Sequence, residues 1–334
     1  MDYVNLGNQG VKVSRLCLGT MMFGGPTDAA ESIRITHRAL DEGINFIDTA
    51  NVYNHGESER ITGKAIAGRR DQVVLATKVR GPAGQGPNGQ GASRLHIAQE
   101  VENSLERLDT DYIDIYLVHS PDYDTPLEES LQALDNLVRQ GKIRYYGLSN
   151  YYAWQVCQAQ WLADRRHLSG VACVQSLYNV FNRDPEVELW PCCRQLGIGT
   201  MVYSPLARGV LTGKYLPGSS PPEGSRAARG DARIKVTELR EESFELAQKL
   251  AGLADQCGVG LADFALNWVL ANPIITSAII GPRTMEQYES SWAALGWEMS
   301  AEIQAQVDGL VPPGEHTGWG FNDPKYPVLG RPQA

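Results

Sequence analysis

Eight short apolar runs, each separated from the next by segments patterned as amphipathic helix, constrain this chain more than any other feature. They fall near residues 16–20, 44–48, 73–78, 112–118, 143–149, 171–176, 198–203 and 275–280, and bounded runs of this length read as buried strands. Between them, Ile97, Val101, Leu105 and Leu108 recur at helical spacing, as do Leu127, Leu131, Leu134 and Val138. Such helices cover a parallel sheet. Gly43, Gly141 and Gly197 each stand between a helical segment and the next strand, where a helix commonly ends in a conformation that glycine adopts without strain. Thr125-Pro126-Leu127-Glu128 reads as a capping box with proline at the first helical position. This cadence predicts a single α/β barrel domain spanning residues 1–334, preceded by a β-hairpin around Gly7-Asn8-Gln9-Gly10 within residues 1–15. At 334 residues and 43% hydrophobic the chain can fill such a core.

The cadence breaks in two places, at 81–93 and 204–238, both rich in glycine and proline. Loops of that length usually bind something or are disordered. Residues 311–334 carry Trp319, Phe321 and Tyr326 among prolines and glycines, too aromatic for a simple disordered end. They are expected to fold as a tail over the C-terminal face of the barrel.

Thirty basic and 39 acidic residues leave a net charge of −9, with no basic run, so a nucleic-acid partner is not expected. The start has no basic and apolar leader pattern, and no stretch reaches the roughly 18 apolar residues of a membrane span. A soluble cytoplasmic protein is the expectation. Six cysteines (Cys17, Cys157, Cys173, Cys192, Cys193 and Cys257) include no CxxC pair, and those at 17 and 173 lie inside strand-like runs, as buried thiols do. The vicinal pair Cys192-Cys193 is a candidate redox sensor, although nothing beside it in the sequence lowers a thiol pKa.

Chemistry should collect at the ends of the strands. Asp48 and Lys78 close two of the runs, His119 closes a third, and Tyr53 follows shortly after the first of them. One charge at a strand end is usually ordinary loop solvation; three successive strands repeating the pattern point to a site. Gly84-Gln85-Gly86-Pro87-Asn88-Gly89 matches a dinucleotide fingerprint literally, but about a dozen residues separate the preceding strand from the next helix and Pro87 stiffens the middle, so no tight strand-to-helix turn exists for a pyrophosphate. Gly209-Val210-Leu211-Thr212-Gly213-Lys214-Tyr215 falls one residue short of a P-loop. The six histidines show no metal-binding spacing, and no metal is expected.

In order along the chain stand Gly10-Val11-Lys12-Val13-Ser14-Arg15-Leu16-Cys17-Leu18-Gly19-Thr20, Gly43-Ile44-Asn45-Phe46-Ile47-Asp48-Thr49-Ala50, Tyr53, Gly56-Glu57-Ser58-Glu59, Thr77-Lys78, Asp114-Ile115-Tyr116-Leu117-Val118-His119, Gly147-Leu148-Ser149-Asn150, Gln175, Tyr203-Ser204-Pro205-Leu206 and Gly281-Pro282-Arg283. Over nearly its whole length the chain thus resembles the aldo-keto reductases, in the branch that holds potassium-channel β subunits and bacterial aldehyde reductases. The resemblance implies a (β/α)8 TIM barrel binding NADPH/NADP+ across its C-terminal face without a Rossmann domain.

It also implies roles. Asp48 would hold Lys78 charged, Lys78 would make Tyr53 a usable general acid by lowering a phenol pKa that is ordinarily about 10, and His119 would orient the substrate carbonyl. Tyr203 would stack on the nicotinamide, with Ser149, Asn150 and Gln175 on its carboxamide and Gly19, Thr20, Met21, Ile280 and Gly281 beside the cofactor. Ser204, Leu206, Arg208 or Lys214, and Gly209 would close on the pyrophosphate, while Arg283 and Gln287 would take a 2′-phosphate, favouring NADP over NAD. Ser290-Ser291 replace the acidic residue and Asn usual in these relatives, which predicts weaker adenine anchoring. The implied activity is reduction of an aldehyde or ketone. The alternative is a regulatory subunit that senses nucleotide occupancy, or, at the residue level, a mere Asp48–Lys78 salt bridge with Tyr53 resting on the rim. Met21, Met22, Phe23 and Trp319 suggest an apolar or aromatic-lined pocket, its walls drawn from loops 21–28 and 81–93, the region near Tyr123 and the tail, without naming the carbonyl or the oligomeric state.

Overall fold

In the computed structural model, which describes residues 1–317, a two-stranded antiparallel hairpin comes first, β1 (Tyr3–Asn5) against β2 (Lys12–Ser14). Eight parallel strands follow: β3 (Leu16–Gly19), β4 (Phe46–Asp48), β5 (Val74–Val79), β6 (Ile113–Val118), β7 (Ile143–Ser149), β8 (Cys173–Leu177), β9 (Gly199–Tyr203) and β10 (Ser277–Ile280). They close in the order β10-β3-β4-β5-β6-β7-β8-β9. The fold is a (β/α)8 TIM barrel with an added hairpin, as the alternation predicts. The helices are α1 (Ala29–Asp41), α2 (Glu57–Ile66), α3 (Arg94–Leu108), α4 (Leu127–Arg139), α5 (Ala153–Arg166), α6 (Leu189–Leu196), α7 (Ala232–Val236), α8 (Glu241–Gln256), α9 (Leu261–Ala271), α10 (Met285–Ala293) and α11 (Ala301–Leu310).

The described residues form two units. The first holds Met1–Ser176, Leu189–Tyr203 and Pro273–Glu289, and with them the barrel; the second holds Leu177–Glu188, Ser204–Asn272 and the residues from Ser290 onward. In the first, Gly43, Gly141 and Gly197 all adopt positive φ between helix and strand, which is how such short connections are made. Asp28 and Ser93 cap α1 and α3 through their side chains. The capping box read at Thr125 does not form: Pro126 is the residue before α4, and the Thr125 hydroxyl bonds Asp122 at 2.7 Å. Asp122 already accepts from the Ala92 amide, so the threonine is drawn to that turn instead.

Period-two alternation explains the barrel's interior. Cys17, Phe46, Val74, Ala76, Ile115, Leu117, Cys173, Met201 and Ile279 form one buried cluster, and Leu6 and Val13 of the hairpin region join it. Leu6 and Gly7 lie against the start of β9, where the Asn8 amide donates to the Gly197 carbonyl at 2.7 Å, so the hairpin closes the N-terminal end. Two residues beyond Phe46, Ala76, Leu117, Cys173 and Met201, on the same face of their strands, come Asp48, Lys78, His119, Gln175 and Tyr203. An apolar floor therefore carries a polar rim.

In the second unit, α8 packs with α9 and α11, and Arg183 pairs with Glu186 and Asp308 while its amide donates to the Glu315 carbonyl. Those contacts anchor the first residues of the expected tail. Trp319, Phe321 and Tyr326 lie outside the described residues. Among the described residues no helix is long and apolar enough to cross a membrane, and no group of three or more His, Cys, Asp or Glu side chains could hold a metal.

Candidate active site

Lys78 is wholly buried, and its Nζ donates to Asp48 Oδ2 at 2.6 Å, to the Thr49 carbonyl at 2.7 Å and to the Tyr53 hydroxyl at 3.3 Å. A lysine ammonium has three protons, and this geometry uses all of them. Burial pulls the Lys78 pKa down, but the Asp48 carboxylate, the Tyr53 phenol and the hydrogen bonds to both outweigh it and leave it above the ordinary lysine value. The side chain is therefore an ammonium at neutral pH.

Asp48 divides its oxygens, since Gln175 Nε2 donates to Oδ1 at 2.8 Å from across the barrel. Below it lies a knot of hydroxyls. Ser58 donates to the Thr20 carbonyl at 2.7 Å and lies 2.9 Å from the Thr49 hydroxyl, and the Thr20 hydroxyl donates to the Asp48 carbonyl at 3.1 Å. These contacts tie the ends of β3 and β4 to α2.

Tyr53 opens a short turn of 3-10 helix, Tyr53–Gly56, in which Asn54 and His55 take φ of 48° and 56°. Asparagine and histidine are among the non-glycine residues that most often enter that region. The Asn54 amide pins the turn by donating to the carbonyls of Met21 at 3.0 Å and Phe23 at 2.7 Å. So held, the Tyr53 ring meets His119 edge to face with centroids 5.8 Å apart. The three strand-end residues Asp48, Lys78 and His119 thus converge with Tyr53.

Around this tetrad, Ser149 is buried at the end of β7 and Gln175 in the middle of β8. Asn150, at φ 63°, donates to the His119 carbonyl at 2.8 Å and to Ser149 Oγ at 3.0 Å, and accepts from the Tyr203 hydroxyl at 2.7 Å. Its side-chain amide thus links the ends of three strands, β6, β7 and β9. Gly19 and Thr20 are buried at the end of β3, Met21 is exposed just beyond it, and Ile280 is buried beside Gly281. A Cβ at Gly281 would meet nothing within 4 Å, so open space adjoins that strand end. Arg283 precedes α10, its amide donating to Gln287 Oε1 at 3.0 Å and its carbonyl accepting from Thr27 at 3.1 Å.

The second unit contains the other expected cofactor residues. Its loop passes through Ser204, Ala207 and Arg208 at φ of 56°, 45° and 52°, followed by Gly209 at 98°. Three neighbouring non-glycine residues thus hold left-handed backbone. The Arg208 guanidinium is buried 3.2 Å from Glu238, so its charge is already balanced. Lys214 is the other cation, and a Cβ on Gly209 would stand 2.9 Å from its Nζ.

Sequence reasoning assigned no role to Ser58, Glu59, Asn51 or the Thr49 carbonyl. Glu59 is fully buried, accepting from Thr77 at 2.5 Å and from Arg107 at 2.6 Å, and Asn51 donates to Glu100 at 2.7 Å. The motif Gly56-Glu57-Ser58-Glu59 was the available signal. In the barrel, burial first and the Asp48 charge second push the Cys173 thiol up to about 12, and Cys17 likewise upward. Both remain inert thiols.

The model of the family described as "Aldo/keto reductase family" matches residues 15–312. An uncharacterized oxidoreductase, YrpG, of Bacillus subtilis (strain 168) is 41% identical over 329 residues, covering 95% of this chain and 98% of the relative. A probable voltage-gated potassium channel subunit beta of Arabidopsis thaliana is 38% identical over 300 residues, 88% of this chain and 91% of the relative. The aldo-keto reductase YhdN of Bacillus subtilis (strain 168) is 35% identical over 338 residues, 99% and 98% respectively.

Proposed function

The chain belongs to the aldo/keto reductase family, an oxidoreductase family, and we propose that it reduces an aldehyde or ketone to the alcohol using NADPH, with Tyr53 as proton donor. The observation that carries this reading is the Lys78 ammonium 3.3 Å from the Tyr53 hydroxyl, with Asp48 at its back. A neighbouring cation favours the phenolate over the phenol, and so eases release of the phenolic proton near neutral pH.

The donor set suits a nicotinamide. Tyr203 is half-buried at the end of β9, Ser149 at the end of β7 and Gln175 in β8 offer buried hydroxyl and amide groups, and open space adjoins Gly281 after β10. When bound, NADPH supplies a hydride. Tyr203 would stack against the ring, Ser149 and Gln175 would hold its carboxamide, and Asn150, engaged as it is, would keep Tyr203 and Ser149 in register. Gly19, Thr20, Met21 and Ile280 would flank it, and Arg283 with Gln287 would receive a 2′-phosphate. For the second unit we propose that the strained backbone at Ser204, Leu206 and Gly209, with Lys214, binds pyrophosphate, while Arg208 serves through its pair with Glu238.

His119 would hold the substrate carbonyl oxygen within reach of Tyr53. As the carbonyl carbon is reduced, the Tyr53 O–H bond breaks and the alcohol O–H forms. The Tyr53 phenolate left behind is stabilised by Lys78 until solvent returns a proton.

The second reading, a regulatory subunit responding to nucleotide occupancy, is favoured by the relative named as a probable potassium channel subunit beta. Mixing the protein with NADPH and a panel of reactive aldehydes, and following loss of nicotinamide absorbance, separates the two. Carbonyl-dependent consumption is expected. Tight NADPH binding without consumption of any carbonyl would favour the regulatory reading.

A further inference from the structure

Cys157 on α5 and Cys192 on α6 place their sulfur atoms 3.2 Å apart. The two residues are 35 positions apart in sequence. All six cysteines are thiols, Cys157 is exposed and Cys192 partly so. A disulfide bond is about 2.05 Å long, so a shift of roughly 1.2 Å would join them, within the reach of side-chain rotation on two neighbouring helices. The vicinal pair suggested by sequence is a poorer couple. Successive residues on a helix do not face each other, and Cys193 is fully buried, whereas the Cys192 thiol lies 3.8 Å from the Ala153 carbonyl at the first turn of α5.

We propose that Cys157 and Cys192 form a reversible disulfide in response to a hydroperoxide. The exposed Cys157 thiolate attacks a peroxide oxygen, forming an S–O bond as the O–O bond breaks and one water departs. Cys192 then attacks that sulfur, forming the S–S bond and releasing the oxygen as a second water. Two thiols lose two electrons, and hydrogen peroxide is reduced to two waters. The bond staples the helix that follows β7 to the helix that precedes β9, the strands that carry Ser149 and Tyr203. A low-molecular-weight thiol reverses it by exchange.

The test is non-reducing tryptic mapping of the intact protein before and after brief exposure to hydrogen peroxide. Cleavage after Arg144, Arg165, Arg183 and Arg194 leaves Cys157 on one peptide and Cys192 with Cys193 on another. The expected product joins the two peptides, two hydrogens lighter than their sum. Fragmentation should place the bond on Cys192, and dithiothreitol should release it. Cys193→Ser should keep the link, Cys157→Ser should lose it, and the oxidised wild type should melt several degrees above the reduced form because the cross-link restricts the unfolded chain. Should Cys193→Ser fail to fold, fragmentation of the wild-type peptide still decides. A Cys192-Cys193 bond, Cys157 oxidised to sulfinic acid, a cross-link between two chains, or six unaltered thiols would each overturn the proposal. None of these outcomes bears on Tyr53.

Discussion

Asp48 gives one oxygen to Lys78 and the other to Gln175, and this division explains why a fully buried ammonium persists. Without the carboxylate, burial acting alone would drive the Lys78 pKa below its ordinary value. Asp48→Asn is therefore expected to lower stability by ~3–5 kcal/mol at neutral pH, measured by urea unfolding. The pH dependence has a definite sign. Lys78 is raised in the folded protein, so its stabilising contribution is complete below the unfolded value near 10.4 and is lost as pH climbs through the folded value. In the variant the charged lysine is penalised, and that penalty disappears as the amine loses its proton. The deficit between the two proteins should shrink above about pH 10; a deficit that stays constant would remove Lys78 as its cause.

At the level of elements, the eight strands were legible because each is a bounded apolar run, and their ends were legible because period-two alternation sends a polar residue to the rim two positions after an apolar floor residue. What escaped was contact between elements distant in sequence. Glu59 of α2 links Thr77 on β5 to Arg107 on α3, with Glu100 3.5 Å from the same guanidinium. Nothing in local patterning distinguishes that carboxylate from one at a solvated helix start. Cys157 meets Cys192 for the same reason unseen, through packing of neighbouring helices, while the adjacent Cys193 is turned inward. Thr125 does not cap α4 as its motif predicts because Asp122 competes for its hydroxyl. Glu59→Gln weakens the buried ion pair but keeps an acceptor for Thr77, and should lower stability by ~3 kcal/mol with an unchanged urea m-value. A loss under about 0.5 kcal/mol would show that the pair adds little over a neutral hydrogen bond.

Across the whole molecule, the net charge of −9 means that any anionic cofactor depends on local cations and backbone donors. Lys78 pairs with Asp48 and Arg208 with Glu238, and Arg283 and Lys214 are the cations proposed for phosphate groups. The family was readable from motifs spread over most of the chain; the strained loop at 204–209 was readable only as a break in cadence, since backbone angles have no direct signature in residue type when the strained positions are not glycine. The proposed reduction depends on Tyr53 as the acid and Lys78 as the group that makes it one. The direct measurement is single-turnover oxidation of bound NADPH by a reactive aldehyde in wild type and Tyr53→Phe, with NADPH affinity measured alongside. Loss of a general acid predicts a rate lower by ~10²–10⁴-fold with cofactor affinity nearly unchanged; an undiminished rate in the phenylalanine variant would contradict the account.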